Sequence, residues 1–198
     1  MPIRSCSFVV TVLAALAIVA CENKSTQPAG PSALQSSVGA ASSSALAQKT
    51  AASAAAHAVT MFDACDPQTF NAALGAGTCS RQGGIRFEDF VEQLTRHHSA
   101  GAWHFAPSEV TMQVGELLMA TNRGGETHTF TEVEEFGGGI VPFINNLVGL
   151  TTVAPECSQA VKLSPGGTFS ETENEAGVEK YQCCIHPWMR AEVRIKEK

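Results

Sequence analysis

Hydrophobic and polar positions change their rhythm along this chain. FVVTVLAALAIVA, from Phe8 to Ala20, is almost continuously apolar, and the stretch from Glu22 to Ala58 is nearly devoid of large apolar residues. IRFEDFVEQLTRHH then places Phe87, Phe90, Val91 and Leu94 at i, i+3, i+4 and i+7, which predicts a short amphipathic helix. Beyond Gly101 the period shortens to two. VTMQV alternates at Val110, Met112 and Val114, and GELLMATN, THTFTEV, AVKLS, GTFSETE, KYQCCI and AEVRIK supply further strands. NRGGE, FGGG, SPGG and NEAG punctuate them. Many short strands joined by Gly-rich turns predict an all-β antiparallel sandwich, preceded by a short helical extension.

The apolar N-terminal run is too short for the ~20 residues of a spanning helix, and Arg4 precedes it, so residues 1–20 read as a signal peptide. IVAC, with Ile18 three positions before Cys21 and Ala20 directly before it, resembles the lipobox of bacterial lipoproteins. That resemblance implies that Cys21 is acylated and that the protein is exported and anchored by lipid to a bacterial membrane, on its periplasmic or cell-surface side. A plain signal peptide cut near Cys21 is the alternative, and both place the domain in an oxidising compartment. Residues 21–58, mostly Ser and Ala with some Gly, Pro and Gln, cannot bury enough surface to fold and read as a tether. About 40 flexible residues would reach roughly 35 Å. The Ala-rich half, Ala45 to Met61, is the part with helical propensity. Residues 59–102 then form the extension and 103–198 the sandwich domain. The net charge of −6, with no run of Lys or Arg, excludes a nucleic-acid partner.

The chemistry gathers near the end, in YQCCIHPWMRAEVRIKEK. Cys183, His186 and Met189 form C-x-x-H-x-x-M, offering a thiolate, an imidazole and a weak thioether from one loop between two strands. A Cys with two His and a distant Met suits an electron-transferring copper. The second imidazole must come from elsewhere, and NRGGETHTF supplies His128 after a Gly-rich turn.

CCIHPWMR resembles the copper loop of amicyanins and related plastocyanin-like members of the cupredoxins, and VGELLMATNRGGETHTF is similar to their two-strand segment ending in the first His ligand. The resemblance covers residues from about 103 to 198. It implies a Greek-key β-sandwich holding one Cu(I)/Cu(II) ion through His128, Cys183 and His186, with Met189 axial. It also implies an electron exit at the exposed edge of His186, ringed by Pro187 and Trp188, where a redox donor and acceptor dock transiently. Thr129 departs from the family, whose members often carry Asn there to brace the two ligand loops. FGGGIVPFINNLVGLTTVAP, residues 136–155, is longer than a minimal member needs.

Alternation puts Tyr181 and Cys183 on one face of their strand and Cys184 on the other, so only one of the adjacent cysteines can face a metal. Choosing Cys184 would leave a single residue before His186. Beyond Cys6 and Cys21 five cysteines remain, an odd number. The four besides Cys183 pair most simply as Cys65 with Cys79 and Cys157 with Cys184. His97, His98 and His104 read as solvated histidines rather than a second site, and the glutamates of TEVEEF and SETENEAGVE as a solubilising surface. The expected function is therefore electron transfer by a monomer that is not an enzyme and takes no small-molecule substrate. Copper delivery or buffering through the same ligands is the alternative.

Overall fold

A computed structural model describes residues 55–198. The segments expected to be a signal peptide, an acylated Cys21 and a tether, up to residue 54, lie outside the described residues. The elements run β1 (Ala56–Phe62), α1 (Pro67–Leu74), α2 (Phe87–His97), β2 (His104–Ala106), β3 (Glu109–Gln113), β4 (Leu117–Asn122), β5 (Thr131–Val133), α3 (Pro142–Val148), a 3-10 turn (Pro155–Gln159), β6 (Thr168–Thr172), β7 (Gly177–Gln182) and β8 (Arg190–Lys196). Among the described residues no helix is long and apolar enough to cross a membrane.

The strands form two four-stranded sheets, ordered β2-β1-β4-β6 and β3-β8-β7-β5. Alternation works as the pattern predicts: Val110 and Met112 of β3, Leu118 and Ala120 of β4, and Ala191, Val193 and Ile195 of β8 turn inward and share one core with Val59 and Met61 of β1. The sandwich is not purely antiparallel. β1 runs parallel to β4, and β3 parallel to β8, so each sheet is mixed.

Three further differences from the sequence reading concern the N-terminal part. Ala56 to Met61, with helical propensity, is strand instead, because six residues of β1 pair in register with β4. His57, assigned to the tether, lies in that strand with Nε2 2.7 Å from Glu116 Oε2. The stretch from 59 to 102 thus contributes a strand to the sheet before it contributes helices. α1 was not anticipated; Asp66 caps it by accepting the Thr69 N–H at 3.0 Å, and Pro67 opens its first turn. AVKLS forms no strand, and only Leu163 pairs, in a bridge with His128.

Phe130 and Tyr181 stack in the core, with centroids 4.4 Å apart and planes 12° from parallel. The Tyr181 hydroxyl faces two carboxylates, at 2.9 Å from Glu179 and 3.3 Å from Glu173. Burial of Glu173, together with the charges of Glu179 and Glu171, raises its carboxyl to about 7. Its proton is therefore kept in the folded protein at pH values where the unfolded chain, near 4.5, has lost it. Stability from this group is complete below about 4.5 and falls as pH rises to about 7. Glu173→Gln should accordingly match the parent near pH 4 and be the more stable of the two at pH 8 in urea unfolding. A difference that is constant with pH would contradict this origin.

Candidate metal centre

Two loops converge at one end of the sandwich. The first follows β4, where Asn122 organises the NRGGE turn by donating to the Glu126 and Leu163 carbonyls and accepting the Gly124 N–H. Gly124 must be glycine, because a Cβ there would run into the Asp63 carboxylate. His128 emerges from this turn. The second loop joins β7 to β8, closed by the Met189 N–H donating to the His186 carbonyl at 2.9 Å and the Cys183 N–H donating to the Met189 carbonyl at 3.0 Å.

The structure brings His128, Cys183 and His186 together. Cys183 Sγ lies 3.8 Å from Nδ1 of each histidine, and the two Nδ1 atoms are 3.2 Å apart. A point equidistant from all three lies about 2.1 Å from each, matching metal–ligand bonds of about 2.0–2.3 Å. Met189 is buried in the same loop. Relative exposure is 0% for His128 and Cys183, 2% for His186 and 1% for Met189, so bulk water does not compete for the donors.

The thiol is prepared as a ligand. Burial alone would raise it, but hydrogen bonds and charge from His128 and His186 hold it well below its usual range. The Thr129 and His186 N–H groups also donate to the sulfur, each at 3.4 Å. Thr129 does brace the two loops: its Oγ1 accepts the Cys184 N–H at 2.7 Å and the Thr131 hydroxyl at 3.0 Å.

The adjacent cysteines part company. Cys183 and Tyr181 belong to the main core, whereas Cys184 joins Val133, Ala154 and Cys157 in a small second core. Disulfides link Cys157 with Cys184 and Cys65 with Cys79, and Cys183 is the one free cysteine among the described residues. The long 136–155 segment buttresses the second core. Its Ile140 N–H donates to the Cys184 carbonyl at 2.7 Å, and Asn145 clasps Gly139 on both sides.

Two carboxylates lie behind the histidines, and neither was singled out from the sequence. Asp63 sits 2.8 Å from His128 Nε2. Burial would raise its carboxyl, but the bond from His128 and the Glu126 and Gly125 amides bring it down to about 2. The converse holds for His128: burial would lower it, and Asp63 with Cys183 raise it to about 9. Glu126 accepts from Trp103 Nε1 at 2.6 Å and stands 3.7 Å from His186 Nε2. Its burial raises it against the opposing charge of His186. Nothing in the sequence spacing marks Asp63, which is 65 residues from His128.

The exposure expected at His186, Pro187 and Trp188 is not what the structure has. His186 and Pro187 are buried and Trp188 is half-buried. The cause is an aromatic cap: Phe90 of α2 meets the His186 ring edge-on at 6.3 Å, Trp103 and Trp188 flank it at 6.5 and 5.5 Å, and Phe70 of α1 stacks behind Trp103. Trp188 Nε1 donates to the Ala100 and Trp103 carbonyls, fastening the loop beneath the cap. His97, His98 and His104 stay apart from the site; His98 Nδ1 contacts the Leu147 carbonyl and His104 stacks on Phe62.

Solved structures it is similar to include cupredoxins. A purple cupredoxin from Nitrosopumilus maritimus is 24% identical over 49% of this chain and 86% of its own, with a TM-score of 0.36. An amicyanin from Paracoccus versutus is 24% identical over 47% and 73%, with a TM-score of 0.33. No protein-family model matches the chain, and no curated protein does. At that level of superposition a copper assignment depends on the donor atoms themselves.

Proposed function

We propose that this protein carries electrons by means of one type 1 copper held by His128, Cys183 and His186, with Met189 as the weak fourth ligand. The observation that carries this reading is the buried triangle of two imidazole Nδ1 atoms and one thiolate sulfur. One soft and two intermediate donors, with a thioether-bearing residue buried in the same loop, suit copper better than the harder cations. Copper bound there would supply a one-electron Cu(I)/Cu(II) couple. The rest is done by the chain. Thr129 and His186 amides hold the sulfur, the loop bonds of Met189 fix the spacing, and the aromatic cap keeps water out. Such packing resists rearrangement when the charge of the centre changes.

Burial of every ligand works against copper delivery, which needs the metal to leave readily. It also leaves no approach for a substrate, so the reading includes no catalysis. The two disulfides agree with export to an oxidising compartment. We place the domain outside a bacterial cytoplasmic membrane, tethered through Cys21, where it meets redox partners over a surface other than the His186 edge.

Voltammetry of the copper-loaded protein in the presence of a strong Cu(I) chelator separates the two roles. An electron carrier gives a reversible one-electron wave that persists for many cycles. Progressive loss of the wave to the chelator would favour delivery instead.

A further inference from the structure

The carboxylate of Asp63 is held more firmly than its distance from the copper loop in sequence would suggest. It follows β1 directly, and its side chain is 1% exposed. Oδ1 accepts the Gly125 N–H at 2.9 Å and the Cys65 N–H at 3.3 Å; Oδ2 accepts the Glu126 N–H at 3.0 Å and faces His128 Nε2 at 2.8 Å. Three of these four partners are backbone amides, and Cys65 is further tied to Cys79. The carboxylate therefore cannot swing away from the imidazole.

An ionised carboxylate only accepts, so the nitrogen facing it must be the protonated one. Nδ1 is left as the nitrogen that can give a lone pair to a metal, and it points into the triangle with Cys183 and His186. His186 is held differently. Its Nε2 is 3.7 Å from Glu126, whose carboxylate is engaged at 2.6 Å by Trp103.

We propose that Asp63 is a positioning residue of the metal centre, locking His128 as the Nε2–H tautomer and setting a fixed negative charge behind it, which makes the site favour Cu(II) over Cu(I). The proposal rests on the copper reading for its redox consequence, but its tautomer half applies to any metal in the triangle. A carboxylate that accepts from a ligating histidine raises the basicity of the ligand, and removing such a partner typically weakens metal affinity 10–100-fold. The more highly charged ion loses more.

The test uses purified protein and three forms: parent, Asp63→Asn and Asp63→Ala. Loaded with diamagnetic Zn(II), the parent should show Nε2–H on His128 in long-range ¹⁵N–¹H correlation spectra. Asp63→Asn, which keeps an accepting oxygen but loses the charge, should retain that tautomer. Loaded with copper, it should lose about tenfold or more in Cu(II) affinity relative to Cu(I), a rise in midpoint potential of about 59 mV per tenfold for a one-electron couple. Asp63→Ala, which removes the acceptor as well as the charge, should lose Cu(II) affinity at least as far. A parent with Nδ1–H on His128 overturns the proposal without any variant having to fold. So does a folded, copper-loaded Asp63→Asn with an unchanged potential, since a merely structural Asp63 would alter melting alone. If the parent takes Zn(II) with the expected tautomer yet forms no thiolate–copper band, the copper reading fails and the tautomer lock stands. If it binds neither metal, both fall.

Discussion

Cys183→Ser should yield a folded protein with no blue colour. An intense visible band in such a centre arises from charge transfer between thiolate and copper, and Cys183 supplies the only free thiol among the described residues. Serine nearly preserves the shape, and its hydroxyl can accept from the Thr129 and His186 amides that now face sulfur. It cannot supply a thiolate. The loss should therefore be complete in the visible spectrum while far-ultraviolet circular dichroism is unchanged. Retention of the band would exclude Cys183 as the ligand.

The neighbouring position should behave in the opposite way. Replacing Cys157 and Cys184 together by alanine, which avoids leaving a lone thiol, should preserve the colour and cost about 2–5 kcal/mol in denaturant unfolding of the copper-loaded protein. The Cys184 side chain lies in the second core, away from the triangle, and joins Cys157 across 27 residues. Its contribution to the site is through its backbone, whose N–H donates to Thr129 Oγ1 and survives the substitution. A colourless but stable double variant would mean that the two adjacent cysteines have been assigned the wrong way round.

How far these contrasts could be read from sequence depended on how local each feature is. Alternation along KYQCCI suffices to separate Cys183 from Cys184, because side-chain direction in a strand is set one residue at a time. C-x-x-H-x-x-M lies in one loop and is legible for the same reason. β1 was hidden by its composition: AHAVTMF follows an Ala-rich run with helical propensity, and only its parallel pairing with β4 makes it a strand. The periodicity of Phe87, Phe90, Val91 and Leu94 revealed an amphipathic helix but not the surface it would cover. That surface is His186, which is why an exposed electron exit was expected where the fold has a lid of aromatic rings. Asp63 and Glu126 were hidden still more thoroughly. Acidic residues are common in this chain, and only tertiary contact with Gly124, Trp103 and the two histidines distinguishes these two from the solvated ones.

The most direct test of the central claim is a titration of the purified protein with Cu(II), followed in the visible region and then by addition of reductant. The proposed copper centre predicts a single intense thiolate-to-copper band that saturates at one equivalent, bleaches on reduction and returns on reoxidation. A folded protein that shows no such band would contradict it, and the triangle of His128, Cys183 and His186 would then have to serve a different metal or none.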